Sequence, residues 1–176
     1  MTDQQQTGTS TSWQAPPEAP GPAPGVEWAT FGERLVAYII DGLILGAIFV
    51  ALSIFLIAGI IAGLDISDPR NPELSAGAIG VVLLWLLAIF VVSIIYFPFF
   101  WANGGQTPGM RVFGIRVVRD RDGGPVGWGA ALLRLVGYWV SGIVFYIGYV
   151  WMFLDSRRRT WHDLIAGTVV IKATGR

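Results

Sequence analysis

Three long apolar stretches without a charged residue constrain this chain more than any other feature. They cover residues 42–64, 74–101 and 135–154. A helix needs roughly 20 apolar residues, each rising about 1.5 Å, to cross a hydrocarbon core about 30 Å thick. The first two stretches therefore predict transmembrane helices at about residues 34–64 and 75–101. The composition agrees, because 53% of the residues are hydrophobic and only 14% are charged.

The N-terminal residues 1–28 differ in kind from the rest of the chain. They are rich in Gln, Thr, Ser, Pro and Gly and hold few apolar side chains, which predicts a disordered tail. The tail is either simply solvated or docks a partner through its proline-rich part. It lacks the basic start and short apolar core of a signal peptide, so the first membrane helix is expected to act as the targeting signal.

The distribution of Lys and Arg predicts the orientation in the membrane. The loop at residues 65–73 holds one arginine among three acidic residues, whereas the loop at residues 102–127 holds four arginines. Basic residues near span ends mark the cytoplasmic side. We therefore expect a multi-pass membrane protein, in contact with the lipid bilayer, with a cytoplasmic N-terminus.

The third apolar segment, residues 128–154, has two interpretations. As one full span it would carry the following arginines to the outside, against the charge rule. It is too short for two crossings, which need about 40 residues. A re-entrant hairpin broken at Ser141 and Gly142 is the alternative, and the charges favour it.

Two short β-branched stretches indicate a small sheet. Residues 112–119 (VFGIRVVR) and 168–172 (TVVIK) are each flanked by turn signals, and isolated strands are most easily stabilised by pairing. The predicted fold class is an all-α membrane protein with two transmembrane helices, a third apolar segment and a short cytoplasmic β-pairing.

Two charged residues lie at the start of the first predicted helix. Arg34 and Asp41 are nearly two helical turns apart, about 10 Å along the axis, too far for a direct i,i+4 pair. Arg34 can extend back to the lipid head groups, whereas Asp41 is too short and needs a partner. Arg134, in the third apolar segment, is the candidate. Asp41 then either forms a structural ion pair or exchanges protons or cations.

Other chemistry has little support in the sequence. The formal net charge is zero, so no basic excess indicates nucleic-acid binding, and there is no cysteine. The glycine-rich residues 103–109 lack the Lys of a phosphate-binding loop. His162 is the single histidine, and a surface or capping role is expected for it. We predict no enzyme activity, cofactor or metal site.

Several motifs of the chain resemble those of the RDD family of small bacterial membrane proteins, named for one arginine and two aspartates. The resemblance covers about residues 29–173. It rests on Arg34 and Asp41, on GQTPGMR at residues 105–111 with GIRVV at 114–118, and on RTWHD at 159–163 followed by AGTVV at 166–170.

The resemblance implies a protein of the bacterial cell (inner) membrane. It also implies that Asp163 is the second named aspartate and that it approaches Arg34. Transport of an unknown ligand has been suggested for the family, and some members are linked to sodium/proton exchange. One hypothesis is thus a transport or cation/proton-exchange component, as a homo-oligomer, in which Asp41 binds the ion and Arg34, Arg134 and Asp163 tune its charge. The alternative is a membrane scaffold or accessory protein whose charged residues are structural.

Overall fold

The computed structural model describes residues 23, 25–65, 73–145 and 147–172. Most of the tail predicted at residues 1–28 lies outside the described residues. The elements follow in chain order: β1 (Glu27–Trp28), α1 (Phe31–Gly63), β2 (Leu64–Asp65), β3 (Glu73–Leu74), α2 (Ala76–Ala102), α3 (Pro108–Val112), β4 (Ile115–Arg119), α4 (Trp128–Ile143), α5 (Ile147–Val150), a 3-10 helix (Trp151–Phe153), α6 (Trp161–Ala166) and β5 (Thr168–Lys172).

The helices α1 and α2 pack against each other and are joined through the antiparallel pair β2 and β3. Gly63 lets the two helices approach closely, because a Cβ there would lie 2.6 Å from the Cβ of Ala78. Both helices are long and apolar enough to cross a membrane. Helix α4 and residues 147–153 would add a third span only if that bent pair counted as one.

Large apolar side chains cover the outer faces of α1 and α2. Phe55 is 75% exposed and Leu84 is 66% exposed, and many other large apolar side chains on these helices are also exposed. A soluble protein rarely exposes an apolar surface of this extent. These faces are suited to hydrocarbon, which confirms the predicted class of helical membrane protein.

A three-stranded antiparallel sheet has the order β1-β5-β4. Val117 pairs with Val170 and Trp28 pairs with Ile171, so the predicted pairing of the two β-branched stretches is confirmed. The strand β1 was not expected, because Glu27 and Trp28 fall within the segment predicted to be disordered. The free edge of β5 gives these residues backbone partners, so the prediction was wrong there.

The third apolar segment bends sharply. Helix α4 and residues 147–153 meet at 112°. The bend follows Ile143 and not Ser141 as predicted, because Ser141 is buried and its Oγ donates to the carbonyl of Gly137 at 2.8 Å inside the continuing helix. Phe145 adopts the positive φ of 49° beyond that point.

The segment begins and ends at the same end of the molecule. Strand β4 precedes it, β5 follows it, and these two strands pair with each other. We call this the sheet end; it also contains the start of α1 and the end of α2. A return to the same end is what the predicted re-entrant hairpin requires. The core lies here as well, formed by Ala29, Ala37, Trp101, Met110, Ile115, Val117, Val126, Ala131 and Val170.

Candidate functional site

Asp163 lies in the first turn of α6, where it caps the helix. Its Oδ2 accepts a hydrogen bond from the backbone N–H of Thr160 at 3.2 Å and another from the Thr160 hydroxyl at 2.9 Å. This reciprocal capping satisfies N–H groups that a helix start would leave unpaired. The short helix thereby holds the carboxylate in a fixed, fully buried position.

Two arginines from different helices converge on that carboxylate. Nη1 of Arg34, on α1, donates to Oδ2 at 2.6 Å, and Nη1 of Arg134, on α4, donates to Oδ1. The same Arg134 nitrogen donates to the hydroxyl of Thr168, on β5, at 2.6 Å. Gly137 permits the close packing of α4 on α6, since a Cβ there would lie 2.6 Å from the Cα of His162. The cluster therefore joins α1, α4, α6 and β5.

The charge state of Asp163 follows from these contacts. Burial alone would raise the pKa of Asp163, but the positive charges of Arg134 and Arg34 outweigh it and hold this pKa well below its usual range. Asp163 is thus a carboxylate at any physiological pH. Two guanidinium groups share one counter-charge, which leaves one positive charge in excess within this group of three side chains.

Asp41 is buried to 1% exposure and is surrounded by neutral donors. Its Oδ1 accepts from the hydroxyl of Tyr96 at 3.1 Å and from the backbone N–H of Gly109 at 2.9 Å. Its Oδ2 accepts a short 2.5 Å bond from the hydroxyl of Thr107. Among the described residues no cation lies within 4 Å of it. The carboxylate therefore connects α1 to α2 and to the start of α3.

The predicted ion pair between Asp41 and Arg134 does not form. Arg134 is fully buried and its Nη1 is engaged by Asp163 and Thr168, which the fold brings nearer than Asp41. The expectation that Arg34 extends to the lipid head groups is also wrong. Its side chain is only 11% exposed and turns toward Asp163, because a buried carboxylate binds a guanidinium more strongly than solvent-screened head groups do.

The loop before α3 is shaped to reach Asp41. Thr107 caps α3, accepting from the backbone N–H of Met110 at 3.2 Å while donating to Asp41. Only glycine fits at position 109, because a Cβ there would overlap the carbonyl of Ala37 on α1. The segment GQTPG (residues 105–109) therefore packs against α1 and supplies hydrogen-bond donors to Asp41.

His162 lies inside the cluster and not at the surface, contrary to expectation. It is 3% exposed and stacks on Tyr138 with ring centroids 3.9 Å apart. The Thr160 hydroxyl donates its hydrogen to Asp163, so it must accept from Nε2–H of His162 at 2.7 Å. Burial lowers the pKa of His162 well below its usual value, with the charge of Asp163 opposing only in part. The ring is therefore neutral.

A small cavity of about 30 Å³ lies beside Asp41 and the two arginines that bind Asp163. Its walls include Arg34, Asp41 and Arg134, so three of the four predicted site residues face one space. The Arg134 guanidinium lies over the ring of Trp101, 4.8 Å from the ring centre. Among the described residues, no group of three or more His, Cys, Asp or Glu side chains is gathered as a metal would require.

Several contributing residues were not predicted from the sequence. They are Tyr96, Trp101, Thr107, Tyr138 and Thr168. The motif around Thr107 contained a usable signal, since Thr before Pro-Gly is a helix cap with a donor hydroxyl. Tyr96 and Trp101 lie within a run of aromatic residues at the end of α2, and nothing in the local sequence shows which of these side chains points inward.

Two apolar spanning helices, with a buried arginine and aspartate cluster at one end, define a small helical membrane protein. The chain belongs to the RDD family, whose sequence model matches residues 28–167. No solved structure matches the chain.

Three relatives illustrate the similarity. YxaI of Bacillus subtilis, described as an uncharacterized protein, is 31% identical over 81% of this chain and 96% of its own length. YckC of the same species, also described as uncharacterized, is 32% identical over 84% of this chain and 83% of its own length. A proline-rich antigen homolog of Mycobacterium tuberculosis is 26% identical over 53% of this chain and 40% of its own length.

Proposed function

We propose that this protein is a membrane scaffold or accessory protein whose charged residues hold the sheet end together. The observation that carries the proposal is the satisfaction of both buried aspartates inside the fold. Asp163 is bound by Arg34 and Arg134, and Asp41 accepts three hydrogen bonds from α2, Thr107 and Gly109. Each oxygen of both carboxylates is thereby partnered, as a structural role requires.

We further propose that the sheet end faces the cytoplasm of a bacterial cell. The basic residues concentrate at this end, and cytoplasmic ends of spans carry the excess of Lys and Arg. They are Arg111, Arg116, Arg119, Arg121, Arg157, Arg158, Arg159 and Lys172. The predicted tail begins on the same side, so any partner it recruits would be cytoplasmic.

The orientation is testable because the chain has no cysteine. Ser156 is exposed near the sheet end, and Ala76 is exposed at the opposite end of α2. Ser156→Cys should escape an impermeant thiol reagent in intact cells, while Ala76→Cys should react. Labelling of Ser156→Cys from outside would refute the cytoplasmic assignment.

The scaffold proposal predicts no ion movement by the protein alone. Vesicles with the purified chain should exchange sodium and protons no faster than protein-free vesicles. The matched sample is Asp41→Asn at the same protein density. A flux that depends on Asp41 would contradict the scaffold role.

A second candidate, a cation or proton exchange component, is favoured by one observation. Asp41 has no ion pair within the described part of the chain and lines a cavity together with Arg34 and Arg134. Three or fewer spans make a narrow route across the bilayer for a lone chain, so this candidate expects a homo-oligomer. It predicts that Asp41→Asn abolishes flux while the protein still inserts and folds.

A further inference from the structure

The small cavity at the sheet end is lined by more hydrogen-bond donors than the protein itself uses. Nε and Nη2 of Arg34, and Nε and Nη2 of Arg134, are buried and have no hydrogen-bond partner among the described residues. The indole Nε1 of Trp101 is also buried and without a hydrogen-bond partner among the described residues. All three side chains line the cavity. Two neutral acceptors belong to residues on the same cavity: the Tyr138 hydroxyl, which lies within hydrogen-bond reach of Arg134, and Nδ1 of His162. They are fewer than the donors. Buried N–H groups are almost always partnered in native proteins, so the five nitrogens call for a further acceptor.

The charges near these nitrogens favour an acceptor with negative charge. Asp163 balances only one of the two guanidinium groups, and both of its oxygens are already bonded. Asp41 is the carboxylate that lines the cavity, but its oxygens are directed to Tyr96, Thr107 and Gly109. In the ranges that the structure describes, the unused guanidinium N–H groups therefore have no carboxylate to bind.

The size of the cavity limits the ligand. Its volume of about 30 Å³ exceeds the roughly 10–15 Å³ that one water molecule needs. It is too small for a phosphate bearing a lipid or nucleotide. We propose that the cavity binds a small monovalent inorganic anion, of the size of chloride, between Arg34, Arg134 and the indole N–H of Trp101.

A second cavity shares part of its wall with the first. It has a volume of about 70 Å³, and four of its lining residues, Arg34, Tyr38, Tyr138 and His162, also line the anion cavity. Arg34 is 11% exposed whereas Arg134 is fully buried. The anion therefore enters past Arg34 from the sheet end. The site is independent of the scaffold proposal, since a structural anion and a transported one would bind the same donors.

The role of Asp41 separates this site from a cation site. Its negative charge lies on the same cavity and opposes an anion. Asp41→Asn should consequently tighten anion binding, whereas a cation site built on Asp41 would lose its ligand. This opposite response makes the two interpretations distinguishable in one variant.

The test is equilibrium dialysis of the purified full chain in detergent against radioactive chloride, with gluconate keeping the ionic strength constant. The wild type should bind chloride saturably, and replacing sodium by potassium should not alter binding. Arg34→Gln should weaken binding at least about tenfold, as expected for a lost charged hydrogen bond. Arg121→Gln is the matched control, since that side chain is 77% exposed and distant from the cavity.

Trp101→Phe is a second variant, and it keeps the proposal testable if Arg34→Gln does not fold. It keeps an aromatic ring under Arg134 and removes the indole N–H, so chloride binding should weaken about fivefold, the value of one hydrogen bond. Absence of saturable chloride binding by the wild type would overturn the proposal and leave water as the acceptor. Equal binding by Arg34→Gln and Arg121→Gln would overturn it too, as would weaker binding by Asp41→Asn.

Discussion

The two buried aspartates of the sheet end solve the same problem in different ways. Asp163 is compensated by full charges, the guanidinium groups of Arg34 and Arg134. Asp41 is compensated by dipoles, two hydroxyl groups and one backbone N–H. Both are almost completely buried, so burial alone does not distinguish them.

The difference shows which charge the fold depends on. Removing the charge of Asp163 would leave two buried cations without their counter-charge, which is strongly destabilising. Removing the charge of Asp41 would leave three neutral donors, each of which loses at most part of one hydrogen bond. We therefore expect the Asp163 cluster to be the more rigid and the surroundings of Asp41 to tolerate change.

The largest expected effect is that of Asp163→Asn. The free energy of unfolding should fall by about 3–5 kcal/mol, because both guanidinium groups lose their shared carboxylate. Denaturant titration in detergent, followed by tryptophan fluorescence, measures this. Asp122→Asn is the control, since Asp122 is 44% exposed. Similar losses in the two variants would mean that the cluster contributes no more than a surface pair.

The two arginines should differ in a defined order. Arg134 is fully buried and bonds Asp163 and Thr168, whereas Arg34 is partly exposed and bonds Asp163 alone. Arg134→Gln should cost about 2–3 kcal/mol and Arg34→Gln about 1–2 kcal/mol, as measured for bonds to charged groups. The same titration gives the order, and a reversed order would show that Arg34 is the main counter-charge.

Asp41→Asn should cost less, about 1–2 kcal/mol, because the amide keeps the shape and one acceptor oxygen. A double-mutant cycle sharpens the comparison. Coupling of Asp41→Asn with Thr107→Val should exceed its coupling with Arg134→Gln, since Asp41 bonds Thr107 and not Arg134. Stronger coupling to Arg134 would contradict this structure and indicate an ion pair between Asp41 and Arg134.

The smallest effect is a pH dependence from His162. Its folded pKa is lowered, so the unfolded chain takes up a proton first and stability falls as pH drops through about 6.5. The slope is at most about 1.4 kcal/mol per pH unit. Asp163 does not contribute to this pH dependence, because the stability that its lowered pKa provides is lost only below about pH 3.9.

A titration of unfolding at about pH 7.5 and 5.5 tests the histidine. Since His162 is the single histidine of the chain, His162→Asn should remove most of the difference. An unchanged difference in that variant would assign the pH dependence to other groups.

Much of the fold could be predicted because long apolar stretches and β-branched segments indicate spanning helices and strands without any knowledge of tertiary contacts. The spans and the pairing of residues 115–119 with 168–172 follow from such patterns. The partner of Asp41 could not be predicted, since several donors lay within plausible reach and only the positions of α3 and α6 decide between them. Arg134 was assigned to the wrong aspartate for this reason.

The order β1-β5-β4 has a consequence for biosynthesis. The central strand, β5, is made after both of its neighbours, and Asp163 is made after both of its arginines. A nascent chain therefore holds Arg34 and Arg134 at the membrane without their carboxylate until residues 161–172 leave the ribosome. A chain interrupted before residue 161 would therefore present unpaired strand edges and two arginines without their shared carboxylate.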